Sequence, residues 1–397
     1  MDIAADGIDL ADPGLYATGD PEAVWAALRR SSPVYRNRRP GGGEFWAVTR
    51  HADAVRVMRD SATFTSERGM RLDQNPAAVA AAAGRLMIVT DPPRHAQIRR
   101  LIGAVFTPRR VARLEHDLRA LVGERLDRVL SGEPCEFTDF AAVVPVAVIC
   151  DLLGVPVADR EFMLHCTRVA FGDSGASEMD RLAAHASMLD YYQELVDERR
   201  REPGDDVISA MLAGTVDGIA LTDEEIFLNC DGLVSGGNET TRHATVGGLL
   251  ALIRHPHQWR LAAGLPGRVD AVVNEILRYT SPAMHALRTP RTDVEVGGRR
   301  IRAGEPVAVW LPSADRDEVV FERGDEFDVT RAAGNHVAFG VGPHYCLGAA
   351  LARVELRVVF GELLARARGA EVAGPVRRLS SNLIWGFESL PVRINAR

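Results

Sequence analysis

The 397-residue chain contains no lysine, so all 47 of its basic side chains are arginine. That preference fits GC-rich coding and assigns no function by itself. With 54 acidic residues the formal net charge is -7, which leaves no overall electrostatic footprint for nucleic acid. Cysteine is scarce: Cys135, Cys150, Cys166, Cys230 and Cys346 are odd in number, widely spaced and without a CxxC pair. This excludes a disulfide framework and fits a reducing compartment. No apolar run reaches the roughly 18 residues a membrane span needs. The opening MDIAADGIDLADPG is acidic where a secretory signal is basic and then apolar. The expectation is a cytoplasmic protein with no membrane partner.

What is present suits a large core: 46% of residues are hydrophobic and 25% charged. No linker or internal repeat divides the chain, which predicts a single domain over 1–397. Helical periodicity dominates. In DPEAVWAALRRS, Asp20 is placed to cap a helix that sets Val24, Trp25 and Leu28 on one face. PVYRN and EFWAVTR, separated by RRPGGG, read as a hairpin, and TDVEVGGRRIRAGEPVAVW holds a second β-like patch. The fold class is mainly α with small β-sheets (α+β). NPAAVAAAAG, residues 75–84, reads either as a weak helix or as a mobile loop over a pocket.

One long element runs from Thr222 to His255-Pro256. Thr222 and Glu225 form a capping box, and about 32 residues at ~1.5 Å each would span ~48 Å. Its centre, GGNETT, is weak, because each glycine costs roughly 1 kcal/mol relative to alanine. Glu239 beside Thr240 could pass protons to a buried pocket, or Glu239 could simply face water on a kinked helix. In NEILRY, Glu275 and Arg278 lie three apart on one helix face, a spacing that most often gives a solvated ion pair worth under ~1 kcal/mol. In FGVGPHYCLG, Cys346 stands where a helix begins, so free N–H groups and a positive dipole end face its sulfur. Such a cysteine is a buried filler, a nucleophile or a ligand. Zinc would need ligands beyond His344 and Cys346, and a nucleophile would need a base that nothing here specifies.

Taken together and in order, these three segments resemble the cytochrome P450 family of heme-thiolate monooxygenases, bacterial soluble type, with a likeness over nearly the whole chain. FGVGPHYCLG matches the family's FGxGxHxCxG heme signature, EILR supplies ExxR, and GGNETT matches the (A/G)GxxT oxygen-activation segment. The resemblance implies a P450 fold with a long central helix over heme b. Cys346 would be the axial thiolate, Phe339 would lie by the sulfur, and Gly340, Gly342 and Gly348 would shape the ligand loop. His95, Arg99, Arg288 and His344 would meet the propionates, and Gly237 would leave room at the cofactor. Glu275, Arg278 and Arg331 would form a structural ion network. Glu239 and Thr240 would manage protons, with Glu239 linking the site to solvent.

The resemblance further implies O2 as co-substrate and electrons from NAD(P)H through a ferredoxin reductase and a ferredoxin. A basic docking patch is expected from Arg100, Arg109, Arg110, Arg113, Arg353 and Arg357. The substrate is expected to be an apolar small molecule, a polyketide or peptide-derived secondary metabolite, carrier-bound or free. Pocket residues are expected among Leu233, Gly236, Met284, Leu287, Ile384 and Trp385, and in the segment 169–177. A steroid or terpenoid hydroxylase is the second substrate class, and a non-catalytic P450-like partner protein the alternative of a different kind. A monomer is expected.

Overall fold

The protein is described by a computed structural model that covers residues 7–172, 176–264, 266–332 and 334–397. Eight helices position the site. In chain order they are α1 (Pro21–Ser31), α2 (Arg94–Gly103), α3 (Pro108–Val129), α4 (Phe137–Leu153), α5 (Glu178–Arg201), α6 (Asp223–Arg254), α7 (Val269–Thr280) and α8 (Ala349–Arg366). The Asp20 side chain caps α1 through Ala23 N–H at 3.0 Å, and the predicted face buries Val24, Trp25 and Leu28. The 75–84 segment resolves as helix over Pro76–Ala82, held by Asn75 Oδ1 accepting from Ala77 and Ala78 N–H.

The expected hairpin forms from β1 (Val34–Arg38) and β2 (Glu44–Val48). With β3 (Phe64–Thr65), β4 (His285–Pro290) and β5 (Val307–Trp310) it makes a five-stranded sheet in the order β1-β2-β5-β4-β3. Only the β2–β5 pair is parallel, with Val307 opposite Trp46. The second β-like patch splits: Val294–Val296 and Arg299–Ile301 form their own hairpin, while β5 joins the main sheet.

α6 runs unbroken for 32 residues, and the capping box is made, with Thr222 and Glu225 each bonding the other's backbone N–H. Its second half is buried all round. A Cβ at Gly248 would come within 2.7 Å of both Ile276 on α7 and Phe360 on α8, so this glycine lets both helices close on α6. α4 is apolar almost throughout and lies along the same helix, which places α6 inside the largest core cluster. A second cluster is aromatic, with Tyr16, Trp25, Phe45, Trp310 and Trp385 joining α1 to the sheet. No helix among the described residues is long and apolar enough to cross a membrane.

Candidate active site

Cys346 lies on a tight loop ahead of α8, which starts at Ala349, three residues later than the sequence pattern suggested. Gly340 and Gly342 take the left-handed region, with φ of 66° and 78°. Gly342 is further constrained, because a Cβ there would sit 2.7 Å from Met58 O at the end of the helix His51–Arg59. The loop is closed by Cys346 N–H donating to Phe339 O at 2.9 Å and Tyr345 N–H to Gly342 O at 3.0 Å. Burial pushes the Cys346 thiol up, against the Gly348 N–H and the Arg99 and Arg353 guanidiniums. The helix end therefore does not make a thiolate unaided; a cation at the sulfur is needed to hold the charge. Phe339 beside the loop is covered by Arg353, whose guanidinium carbon is 4.6 Å from the ring centre.

On one side of this loop four basic side chains converge. The rings of His95 and His344 are 4.1 Å apart, and His344 Nε2 bonds Ser66 Oγ at 3.1 Å. Arg288, on β4, is only 6% exposed, and its one hydrogen bond among the described residues runs to Leu287 O at 2.7 Å. Arg99 has no carboxylate partner among the described residues. Burial and the neighbouring cations push His95 down to about 4 and His344 to about 3, and burial pushes Arg288 to about 10. Asp91 is the nearby acid, but Thr65, Ser66 N–H and Arg291 already hold it. Arg288, a buried charge without a carboxylate partner among the described residues, calls for an anion, and the two neutral imidazoles and Arg99 near it can donate hydrogen bonds to one. A thiol facing a shared space with basic groups fits a flat iron porphyrin whose two carboxylates meet those groups.

The Glu275–Arg278 pair is buried, not solvated, at 0% and 1% exposure. Arg278 donates to both Glu275 oxygens at 2.7 and 2.8 Å, and to the carbonyls of Asp315, Gly324 and Glu326. Glu275 also accepts Asp328 N–H at 2.9 Å and stands 3.4 Å from Arg331 Nε. This network ties α7 to the segment 315–331 that leads to the cysteine loop. Asp315, which the sequence reading overlooked, completes it by accepting Val337 N–H at 2.6 Å.

At the centre of α6, Gly236 is exposed and Thr240 half-buried, with Thr240 Oγ1 donating to Gly236 O at 3.0 Å. Gly237 points elsewhere: its missing Cβ would come 2.6 Å from Ile149 Cδ1, so the space it leaves is taken up by α4. Glu239 does not reach solvent, being 5% exposed. Its carboxylate lies 3.1 Å from His243 Nε2 and 3.4 Å from Arg242 Nη1. His243 Nδ1 accepts Phe387 N–H at 3.2 Å, which leaves the ring proton on Nε2 to be donated to Glu239. Burial would raise the Glu239 carboxyl, yet His243 and Arg242 outweigh it and hold it below the usual carboxylate range.

Of the expected pocket residues, Leu233, Gly236 and Ile384 are partly open, whereas Met284, Leu287 and Trp385 belong to the aromatic core cluster. Trp385 sets its edge on Trp25 at 4.7 Å, and all three are buried, at 0–7% exposure. Residues 173–175 of the expected segment lie outside the described residues. The expected docking patch also shrinks. Arg110 is 8% exposed and tied to Asp151, and Arg357 is paired with Asp270. The cysteine side nevertheless opens as a depression of about 720 Å³ whose lining includes Cys346, Arg99, Arg353 and Arg357. Sequence reasoning also missed Asp91 and Glu355, whose signals were slight: Asp91 opens the turn four residues before His95. Glu355, buried on α8, is pushed up by burial to about 8.

Comparison with known proteins agrees with this geometry. The sequence pattern of the family described as Cytochrome P450 matches residues 268–369. Putative cytochrome P450 126 of Mycobacterium tuberculosis (strain ATCC 25618 / H37Rv) is 40% identical over 98% of this chain and 97% of its own length. Cytochrome P450 NovI of Streptomyces niveus is 38% identical over 98% of this chain and 96% of its own. The crystal structure of P450 OxyD, involved in the biosynthesis of vancomycin-type antibiotics, superposes with a TM-score of 0.91 at 36% identity, covering 98% of this chain and 100% of that one. A cysteine loop beside uncompensated cations, an enclosed Glu275–Arg278 pair and a long helix with an open centre are thus found in a chain that belongs to the cytochrome P450 family, and is an oxygen-incorporating oxidoreductase.

Proposed function

We propose that the chain is a ferredoxin-dependent monooxygenase acting on an apolar secondary metabolite of the polyketide or peptide-derived class. The observation that carries this reading is Cys346 on its glycine loop together with a buried Arg288 that lacks a carboxylate partner among the described residues, and it is joined by the exposed Gly236 and half-buried Thr240 at the centre of α6. In this reading Cys346 supplies the thiolate ligand, with Gly348 N–H turned to the sulfur and Gly340 and Gly342 holding the loop. His95, Arg99, Arg288 and His344 hold the two propionates. Bound heme supplies the iron at which dioxygen is reduced and one oxygen atom is passed to substrate. Thr240 Oγ1 orients a proton toward the open face by turning away from Gly236 O, and Glu239 replenishes it from the His243 side.

Leu233, Gly236 and Ile384 bound the substrate space from α6 and from the C-terminal segment, and an apolar molecule suits them. The secondary-metabolite class draws support from OxyD, whose structure is described as that of an enzyme of antibiotic biosynthesis. Electrons enter from the depression on the cysteine side. The exposed cations Arg100 and Arg109, next in sequence to its lining residues Arg99 and Pro108, suit an acidic ferredoxin fed by NAD(P)H through a reductase.

The deciding experiment is a reduced carbon monoxide difference spectrum of the purified protein, followed by spin-shift titration with candidate metabolites. A red-shifted thiolate band that disappears in Cys346→Ser is expected; its absence from the parent protein would sink the ligand assignment. For the electron donor, Arg109→Glu should slow ferredoxin-driven turnover and flatten its salt dependence. Unchanged rates would remove the docking face.

A further inference from the structure

A second cavity, of about 270 Å³, lies away from the cysteine loop. It is bounded by the N-terminal segment Tyr16–Glu22, the last turns of α6, the end of α7 and the hairpin of β6 (Arg377–Arg378) and β7 (Phe387–Ser389). It shares no residue with the cation cluster described above. Three arginines line it, and their commitments differ. Arg316 is 1% exposed and largely committed, donating to Glu22 Oε1 at 3.0 Å, Tyr279 O at 2.8 Å and Pro312 O at 3.2 Å, with its Nε left without a partner.

Arg378 and Arg254 are not satisfied. Arg378 is half-buried, its guanidinium carbon 4.4 Å over Phe387 and 5.0 Å over Trp385, and it has neither a carboxylate nor a hydrogen-bond acceptor among the described residues. Arg254, exposed at the end of α6, likewise has no ion pair among the described residues. Burial pushes Arg378 down to about 10, with Arg254 and Arg316 adding and Glu22 opposing. The acids on the cavity are both committed, Glu22 to Arg316 and Asp20 to the cap of α1. Five N–H donors in a planar fork, stacked on rings and lacking acceptors, match an oxyanion. The volume falls below the roughly 300–1,000 Å³ of pockets for drug-sized ligands, so the occupant is small.

We propose that this cavity is a binding site for a small oxyanion, a phosphate or a short carboxylate, held between Arg254 and Arg378. Occupancy would be felt near the oxygen-activation centre, because Arg378 pairs with Phe387 across the hairpin, and Phe387 N–H is the donor that orients His243 against Glu239.

Isothermal titration of the heme-loaded full chain with inorganic phosphate and, separately, with succinate tests this at constant ionic strength. Saturable one-to-one binding of at least one anion is expected, and which one binds separates phosphate from carboxylate. Arg378→Gln and Arg254→Gln should each weaken it about tenfold, the loss of one charge-assisted contact. Arg377→Gln, next along β6 but paired at 3.6 Å with Glu388, should leave it unchanged. Arg254→Gln alters only an exposed helix end, so it decides the question even where Arg378→Gln misfolds. Absence of saturable binding by either anion, or binding undiminished in Arg254→Gln, would overturn the proposal.

Discussion

Replacing Arg278 by lysine tests whether the buried ion network supports the cysteine loop. Arg278 uses all five of its N–H donors: two on Glu275 and one each on the carbonyls of Asp315, Gly324 and Glu326. A lysine ammonium has three donors on a longer, unforked stem, so at least two acceptors lose their partner. A hydrogen bond to a charged group contributes ~1.5–3 kcal/mol, so Arg278→Lys should cost about 3–5 kcal/mol. Glu275→Gln should cost a similar amount, ~3–5 kcal/mol, for a different reason: it leaves Arg278 and Arg331 as buried like charges without an anion. Against a total stability of ~5–15 kcal/mol, either loss is large. Urea unfolding followed by far-ultraviolet circular dichroism gives the difference, and the reduced carbon monoxide spectrum gives heme retention. Variants within ~0.5 kcal/mol of the parent, the range of ordinary surface changes, would refute the reasoning.

Four further outcomes rest on particular contacts. Thr240→Ala should keep heme and substrate binding while diverting most electron flow to peroxide or water, read as product formed per NAD(P)H consumed; full coupling would remove Thr240 from proton delivery. His243→Leu should raise the Glu239 pKa by removing its closest hydrogen-bond donor. Because a depressed carboxyl is charged at neutral pH and lost only as pH falls through its folded value, the acid limb of the pH–rate profile should move to higher pH. Gly248→Ala should destabilise by ~1–3 kcal/mol, since its Cβ meets Ile276 and Phe360 at 2.7 Å. Gly236→Ala, which meets nothing within 4 Å, should stabilise the apoprotein by roughly 0.5–1 kcal/mol in thermal melts.

The comparison of sequence and structure divides along a physical line. Whatever depends on near neighbours in the chain was readable. The capping box at Thr222 and Glu225, the amphipathic face of α1, the β1–β2 hairpin and the glycines flanking Cys346 are all set by residues within a few positions of one another. The spacing of FGVGPHYCLG, EILR and GGNETT carried the family, because each segment keeps its order and its chemistry whatever surrounds it.

What depends on which surface meets which was decided by tertiary structure alone. One glycine pair looked like a single device, yet Gly236 faces open space while Gly237 is filled against Ile149 of α4. Trp385 looked like an open pocket wall and is buried, because α1 brings Trp25 against it. Arg110 looked like a docking charge and is tied down by Asp151. Glu239, read as a link to solvent, is enclosed beside His243, whose tautomer is fixed by Phe387 N–H, 144 positions further along the chain than that histidine. Burial and counter-charge are properties of three-dimensional neighbours. A single sequence therefore names the reactive groups, and only the folded chain says which of them are free to react.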